Sequence, residues 1–342
     1  MDLPTSIRQL AAGQDLSRQE MQDVMSLIMH GEATPSQIGA FLTALMVKGE
    51  TVEEIVGAAT IMRDLAARVE TGAERIVDTV GTGGDGARLF NVSTASALVA
   101  CAAGAVVAKH GNRAATGNSG SADVLEAAGV NIDITPEQVG RCIDEVGIGF
   151  MFAPTHHAAT RHAIGPRREI GIRTVFNLLG PLTNPAGAEY QLVGVFDQKW
   201  VRPVAEVFAA LGSRHTLVVC SDDGTDEISL AAGTEVAEFH RGEITTYRIG
   251  PEDFGIQRQP LDSIVVRDAE HSLALIGEAL SGDHGPAFEM VALNAGATLY
   301  AADLEDSIAA GVDRARDVMM TGRAMAKLRQ LAEFSSQFKG DS

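Results

Sequence analysis

The sequence predicts an α/β protein, with a small all-α N-terminal domain and a large α/β domain whose mostly parallel central sheet is flanked by helices. Two patterns carry this prediction. Residues 1–70 contain helically spaced apolar residues and no strand pattern, whereas from about residue 74 short apolar runs alternate with helical stretches. The expected domains are a small one over 1–72, joined by the glycine- and proline-rich crossing segment 164–190, and a large one over 73–163 and 191–342.

Three N-terminal helices are predicted because each begins with a hydroxyl residue that is followed three positions later by Glu or Gln. In such a capping box each side chain hydrogen-bonds to the backbone N–H of the other residue, which fixes the first helical turn. The pairs are Ser17 with Glu20, Thr34 with Gln37, and Thr51 with Glu54.

The large domain is predicted to alternate strands and helices, with an antiparallel hairpin near its middle. Strands are expected over 75–80, 105–108, 148–152 and 216–220. Helices are expected from Ser93, near 121–128, over 201–212 and 271–282, and within 286–335. The hairpin is expected over 235–249, because Arg241-Gly242 suits the tight turn between its strands.

Composition excludes several classes of protein. Hydrophobic residues make up 45% of the 342 residues, which is too many for a disordered chain. The formal net charge of −18 disfavours nucleic-acid binding, since that needs a basic surface. No apolar run has the length of a membrane span, and the first residues lack the apolar core of a signal peptide. Three widely spaced cysteines without a CxxC pair predict a cytoplasmic protein that has neither disulfides nor a zinc site.

A glycine-rich loop follows the first predicted strand and indicates anion binding. Bare backbone amides and a following helix N-terminus suit a phosphate group. The loop matches G-x-G-x-x-G, but a dinucleotide site would need an acid at the end of the next strand, where Lys109 and His110 stand. The Walker pattern is absent as well, so a phosphate cradle is predicted, with a plain tight turn as the alternative. The donors are Gly81, Gly83, Gly84, Gly86, Asn91, Ser93 and Thr94.

Two further clusters are rich in basic residues. The first follows the second strand and predicts another wall of a polyphosphate pocket, with Lys109, His110, Asn112 and Arg113. The second, residues 156–173, contains three histidines and four arginines. It is either a solvated basic helix or a site where one arginine and one histidine bind an anionic acceptor, and the residues alone leave both readings open.

An acidic loop, residues 221–229, follows the strand expected over 216–220. Asp222, Asp223, Asp226 and Glu227 lie within six positions, so their charges repel one another unless they are solvated or bound to cations. One reading is a common acidic turn. The other is a magnesium site in which Asp226 and Glu227 hold an ion that bridges to a pyrophosphate.

Taken in order, the motifs GTGGDG, NVSTAS, KHGNR, RTVFNLLGPLTNPAG and DGTDEIS resemble the anthranilate phosphoribosyltransferase family over nearly the whole chain. The resemblance implies a nucleoside phosphorylase-like fold and a magnesium-dependent pentosyltransferase of tryptophan biosynthesis. Such an enzyme joins anthranilate to 5-phosphoribosyl-1-pyrophosphate and releases pyrophosphate. The resemblance also implies a homodimer that associates through the helical domain.

The same resemblance assigns roles to individual positions, and it assigns no strong general acid or base. Donor-binding residues would be Gly81, Gly84, Asp85, Leu89, Asn91, Val92, Ser93, Thr94, Lys109, His110, Gly111, Asn112, Arg113, Ala114, Ala115, Thr116, Gly117 and Ser121. Acceptor-binding residues would be Gly81, His110, Asn112, His157 and Arg167, and Mg²⁺ would be held by Ser93, Asp226 and Glu227. The chain departs from common family residues at Leu89 (often Thr), Asn118 (often Lys) and Ala158 (often Pro).

Two rival functions share the predicted fold. A pyrimidine nucleoside phosphorylase is disfavoured by the GTGGDG sequence of the glycine loop. A non-catalytic relative that binds nucleic acid is disfavoured by the net charge of −18. The expected partners are therefore small molecules, with neither nucleic acid nor membrane.

Overall fold

The N-terminal part of the chain is helical, as predicted. The computed structural model describes residues 1–114 and 119–339. Its first helices are α1 (Leu3–Ala11), α2 (Arg18–Met29), α3 (Pro35–Lys48) and α4 (Val52–Asp64). All three predicted capping boxes form, at the starts of α2, α3 and α4. The local signals for helix initiation therefore agree with the tertiary structure.

A mixed sheet forms the centre of the large unit. Within the described residues it has seven strands in the order β3-β2-β1-β4-β5-β6-β7. Neighbours from β3 to β5 pair in parallel, and β6 and β7 are antiparallel. The strands are β1 (Ile76–Gly81), β2 (Val106–Gly111), β3 (Ile148–Phe152), β4 (Tyr190–Gly194), β5 (His215–Ser221), β6 (Thr234–His240) and β7 (Glu243–Ile249).

The predicted hairpin turn is confirmed, and its geometry explains its residues. Arg241 and Gly242 both have positive φ, 51° and 85°. A two-residue turn with positive φ at both positions matches the right-handed twist of the flanking strands.

Helices cover both faces of this sheet. They are α5 (Val92–Ala102), α6 (Ser121–Ala127), α7 (Pro136–Val146), α8 (Ala153–His156), α9 (Arg161–Ile170), α10 (Phe176–Leu182), α11 (Val201–Ala210), α12 (Ala269–Leu280), α13 (Pro286–Ala301), α14 (Ile308–Met320) and α15 (Arg323–Ser336). Strand residues alternate between two apolar clusters: Leu192 of β4 packs in one and Val193 in the other. This alternation is expected for a sheet buried on both faces. Within the described residues no helix is long and apolar enough to span a membrane.

The sequence prediction missed two elements of the large unit. Strand β4 lies at the centre of the sheet between β1 and β5 but has only five residues and follows a glycine- and proline-rich stretch. Helix α7 begins with a further capping box, Thr135 with Gln138, that was not recognised. The crossing segment 164–190 is largely helical. Its α10 packs in the apolar cluster that also holds α2 and α3.

The parallel strands bring four loops to one edge of the sheet. The carboxyl ends of β1, β2, β4 and β5 lie side by side in the sheet, because these strands are parallel neighbours. Ligand sites of open α/β sheets lie at this edge. The glycine-rich loop follows β1, the first basic cluster follows β2, and the acidic loop follows β5.

Candidate active site

The glycine loop and the acidic loop are in direct contact. The Gly83 N–H donates a hydrogen bond of 2.7 Å to Asp226 Oδ2. A Cβ on Gly81 would lie 2.8 Å from Asp226 Cγ, so a side chain at Gly81 would clash with this carboxylate. One amide of the predicted anion cradle is thus used to hold Asp226.

Two partly buried carboxylates dominate the electrostatics of this contact. Burial, reinforced by the neighbouring Asp85 carboxylate, raises the pKa of Asp226 to about 7. Burial, reinforced by Asp226, also raises the pKa of Glu227 well above its ordinary value. The backbone N–H of Ser93 opposes this shift and lowers the pKa of Glu227, so the start of α5 lies beside the acidic loop. Two neighbouring carboxylates with raised pKa values are costly to ionise without a cation.

The residues around the carboxylate pair fit a magnesium ion. Mg²⁺ prefers oxygen ligands and is usually bound by one or two carboxylates together with substrate phosphates. Asp226 and Glu227 supply the carboxylates, and the Ser93 hydroxyl lies close by at the helix start. A divalent cation would offset the mutual repulsion that raises both carboxyl pKa values.

Lys109 lies between β1 and the start of α5. Its side chain is buried, and Nζ donates to the Thr79 carbonyl oxygen at 2.8 Å and to Ser93 Oγ at 3.3 Å. Burial lowers the pKa of Lys109, while the Asp78 and Glu227 carboxylates oppose that shift. Lysine has three N–H donors, so one remains for a ligand after the two contacts found in the described part of the chain.

The start of α5 offers an open helix N-terminus. Asn91 stands at the N-cap but makes no side-chain capping bond. Its side-chain oxygen instead accepts hydrogen bonds from the hydroxyls of Ser119 and Ser272, both at 2.7 Å. Thr94 in the first turn is buried, and its Oγ1 has no partner among the described residues. Free first-turn donors at a helix N-terminus favour an anionic ligand.

Asp123 connects Ala114 and Gly120 of the loop after β2. Asp123 Oδ2 accepts hydrogen bonds from Ala114 N at 3.1 Å and Gly120 N at 2.9 Å, which clamps the two ends of the loop. Arg113 forms ion pairs with Asp123 and Glu126. The guanidinium of Arg113 is thus engaged with α6, although the resemblance implied a donor contact there. Ala115, Thr116 and Gly117, predicted to bind the donor, lie outside the described residues, as does Asn118.

Two neutral histidines lie together beside α10. The rings of His110 and His157 are 5.1 Å apart between centroids, and both side chains are buried. Burial, with the other imidazole nearby, lowers the pKa of His110 to about 3, and burial lowers that of His157 to about 4. His110 Nδ1 lies 3.2 Å from the Gly180 carbonyl oxygen and donates to it. Each ring leaves Nε2 without a partner among the described residues, so each offers an acceptor nitrogen.

Two arginines of the second basic cluster, residues 156–173, stack on aromatic rings. The guanidinium carbon of Arg167 lies 4.8 Å from the ring centroid of Phe176, and burial lowers the pKa of Arg167. Arg173 lies 4.5 Å from the Phe196 ring centroid and donates to the Gly84 carbonyl oxygen of the glycine loop. Such stacking holds a guanidinium in one orientation.

A separate cluster of metal-ligating side chains lies at the opposite edge of the sheet. His215, Glu238 and His240 have ligand atoms within 4.8 Å of one another, the one such group among the described residues. The two imidazoles stack at 4.0 Å with an interplanar angle of 5°. Two parallel stacked rings cannot direct their in-plane lone pairs at one ion, and Glu238 also accepts hydrogen bonds from Tyr247 and Tyr300. We interpret this cluster as a structural network.

The chain matches known families over most of its length. A profile described as "Glycosyl transferase family, helical bundle domain" matches residues 4–66, and one described as "Glycosyl transferase family, a/b domain" matches residues 73–325. The anthranilate phosphoribosyltransferase of Thioalkalivibrio sulfidiphilus is 58% identical over 336 residues, which cover 98% of this chain and 99% of that protein. The chain belongs to the anthranilate phosphoribosyltransferase family.

Solved structures of this family share the fold. Anthranilate phosphoribosyltransferase from Thermus thermophilus superposes with a TM-score of 0.92 at 43% identity, covering 97% of this chain and 99% of that one. The Saccharomyces cerevisiae protein, solved with PRPP and Mg, gives 0.90 at 27% identity and covers 98% of both chains. The predicted fold class is therefore confirmed.

Most of the predicted site residues lie at one edge of the sheet in this anthranilate phosphoribosyltransferase family member. Their individual roles stay predictions. Gly81, Asp85, Ser93, Lys109, Asp226 and Glu227 form one group. His110 and His157 form a second group beside α10, and Arg167 on α9 stacks on Phe176 of α10. Reasoning from motifs missed the residues that support these groups, which are Asp78, Asp123, Asn184, Gly194 and Ser272.

The contact between Asp78 and Asn184 could have been anticipated from the residue types. Asp78 is fully buried within β1, and burial raises its pKa to about 6. It accepts hydrogen bonds from the His110 N–H at 3.3 Å and from Asn184 Nδ2 at 2.8 Å. A carboxylate within an otherwise apolar strand requires such partners. Asp78 therefore connects the first basic cluster to the crossing segment.

Proposed function

We propose that this chain transfers the phosphoribosyl group of 5-phosphoribosyl-1-pyrophosphate to the amine of anthranilate, giving N-(5-phosphoribosyl)anthranilate and pyrophosphate. One observation carries the proposal. The carboxylate pair Asp226 and Glu227, the Lys109 ammonium and the open N-terminus of α5 meet at the carboxyl edge of the sheet. This grouping suits a ligand that brings both phosphate oxygens and a divalent cation.

The donor half is assigned to the glycine loop, the start of α5 and the loop after β2. In this proposal, first-turn amides of α5, the Thr94 hydroxyl and the Lys109 ammonium bind phosphate oxygens. A preorganised set of N–H and ammonium donors holds a polyphosphate without rearrangement of the protein. Ser93, Asp226 and Glu227 would hold Mg²⁺, which when bound would neutralise charge on the departing pyrophosphate.

The acceptor half is assigned to residues beside α9 and α10. Arg167 supplies a guanidinium held by Phe176, and guanidinium groups bind carboxylates such as that of anthranilate. His110 and His157 are neutral and line the path of the acceptor, so they add no charge to oppose its entry. Asn112 and Gly81 complete the proposed acceptor contacts.

Positioning and electrostatics would provide most of the catalysis. The amine of anthranilate is a weak nucleophile because its lone pair is delocalised into the ring. The reaction therefore depends on departure of pyrophosphate and on holding the amine close to the developing ribosyl cation. No side chain is assigned as a strong general base.

A single assay tests the activity. Anthranilate fluorescence should fall when the purified chain is mixed with anthranilate, phosphoribosyl pyrophosphate and Mg²⁺, and chelation of Mg²⁺ should stop the loss. Unchanged fluorescence at high protein concentration would contradict the proposal. Phosphorolysis of thymidine or uridine by the same preparation would favour the rival nucleoside phosphorylase.

Three further properties follow from family membership as proposals. The chain would act in tryptophan biosynthesis in the cytoplasm. It would form a homodimer through its helical domain, and light scattering at micromolar concentration would test that association. The division into a helical domain over 1–72 with segment 164–190 and an α/β domain over the rest is likewise proposed. The packing of α10 against α4 supports it.

A further inference from the structure

Ser272 lies in the first turn of α12, outside every motif that predicted the site. Its side chain is fully buried, and its hydroxyl makes two contacts with Asn91. Ser272 Oγ accepts the Asn91 backbone N–H at 3.0 Å and donates its own proton to Asn91 Oδ1 at 2.7 Å. One hydroxyl therefore holds both the backbone and the side chain of the residue that begins α5.

Asn91 in turn holds the loop that follows β2. Its Oδ1 accepts a second hydroxyl proton, from Ser119 at 2.7 Å, and its Nδ2 donates to the Ser119 carbonyl oxygen at 3.2 Å. Two hydroxyl donors on one amide oxygen fix the orientation of the amide group. The contacts Ser272–Asn91–Ser119 thus connect α12, the start of α5 and the loop after β2.

The segment before α12 also runs along the glycine loop. Phe90 N donates to the Ile264 carbonyl oxygen at 3.0 Å, and Val266 N donates to the Arg88 carbonyl oxygen at 2.9 Å. Residues 264–272 therefore brace residues 88–91 through backbone and side-chain contacts. Ser272 is the end of this brace that reaches the donor half of the site.

We propose that Ser272 is a positioning residue for binding of the phosphoribosyl donor. The inference rests on the proposed function, because the two walls that it joins are those assigned to the donor. Without the hydroxyl, the Asn91 N–H loses its buried acceptor and the amide loses one of its two fixing donors. The start of α5 and Ser119, at the end of the loop after β2, are then no longer held in a fixed position relative to each other. Arg167, in the acceptor half, is not part of this chain of contacts.

The experiment compares Ser272→Ala with Ser335→Ala. Ser335 is a matched control, since it is also fully buried and its Oγ accepts a backbone N–H, that of Asn131, at 3.0 Å, and neither Ser335 nor Asn131 is assigned to the site. For Ser272→Ala we expect KM for the donor, and its Kd measured by calorimetry with Mg²⁺, to rise about tenfold, with KM for anthranilate changed less than about twofold. For Ser335→Ala we expect neither constant to change.

A second variant and a second outcome keep the test decisive. Ser272→Thr retains the hydroxyl and should restore most of the donor affinity. The proposal would be overturned if Ser272→Ala left KM and Kd for the donor unchanged, or if it raised KM for anthranilate as much as KM for the donor. The proposed function would still stand in either case, provided that the wild-type chain turns over both substrates. A wild-type chain that binds no donor would overturn both.

Discussion

Gly194 packs directly against the backbone of Asp226. A Cβ on Gly194 would overlap the Asp226 carbonyl and lie 3.0 Å from its Cα. Gly194 is also the register partner of Gly81 in the β1–β4 pair, and a side chain on Gly81 would clash with the Asp226 carboxylate. Two adjacent strands therefore end in glycine at the place where the acidic loop crosses them, which lets Asp226 approach the glycine loop.

Gly194→Ala should displace the acidic loop and impair magnesium-dependent turnover. The new methyl group cannot fit beside the Asp226 backbone, so the loop must shift and move the Asp226 and Glu227 carboxylates relative to Ser93. We expect kcat/KM to fall by at least about 100-fold, as for loss of a group that stabilises charge in the transition state. Steady-state kinetics with varied Mg²⁺ would measure it.

The control for this variant is Gly39→Ala. Gly39 lies within α3, and a Cβ there would meet no atom within 4 Å. That substitution should leave the kinetics unchanged and stabilise the helix by up to about 1 kcal/mol. Wild-type kinetics in Gly194→Ala would show that the acidic loop tolerates the shift.

Asp226→Asn combined with Glu227→Gln should abolish the magnesium-dependent reaction. The substitutions keep the size of both side chains but remove the two charges that a divalent cation requires. They also relieve the repulsion between the two neighbouring carboxylates, so the variant should be at least as resistant to thermal unfolding as the wild type. Asp222→Asn, in the same loop but exposed, serves as the control and should retain activity. Magnesium-dependent turnover in the double variant would remove this pair from the site.

Much of the fold was predictable because its signals are local. Capping boxes set the starts of α2, α3 and α4, and positive φ at Arg241 and Gly242 agrees with the hairpin turn. Strand β4 was missed because its five residues carry no signal of their own. Its place in the centre of the sheet is set by pairing with β1 and β5, which lie far from it in the sequence.

The site was predictable where residue types define the chemistry, as for Lys109 and the pair Asp226 and Glu227. Supporting residues could not be recognised in the same way. Gly194 matters because of a steric contact with a loop thirty residues away, and Ser272 because of a partner at Asn91. Such roles depend on tertiary contacts, and a lone glycine or serine in a sequence does not reveal them.

Arg167→Ala should raise KM for anthranilate with a smaller effect on KM for the donor. The guanidinium of Arg167 is half-buried against Phe176, and its proposed partner is the acceptor carboxylate. Loss of a charge-assisted hydrogen bond of this kind costs about 1.5–3 kcal/mol, which corresponds to a rise of roughly 10- to 150-fold in KM. Arg168→Ala changes the neighbouring exposed arginine and should leave both constants near wild type. Equal anthranilate constants in the two variants would contradict the acceptor assignment.

Glu238 should make the fold sensitive to acid. It accepts hydrogen bonds from Tyr247 and Tyr300, and its Oε1 lies 3.2 Å from His215 Nε2. Burial by itself would raise the pKa of Glu238, but these three donors outweigh it and lower the pKa from 4.5 to about 2. Because the folded pKa lies below the unfolded one, the stabilisation is complete above about pH 5 and is lost as the pH falls towards 2.

Thermal unfolding of Glu238→Gln against pH would measure this contribution. The variant cannot lose a charge, so its melting temperature should lie below that of the wild type at neutral pH. The gap should narrow as the pH falls below about 5. The interval between 4.5 and about 2 corresponds to at most about 3 kcal/mol of folding free energy. Glu243→Gln, exposed on the same hairpin, should show no such pH-dependent gap. A gap for Glu238→Gln that stays constant from pH 7 to pH 3.5 would indicate that the charge of Glu238 contributes nothing.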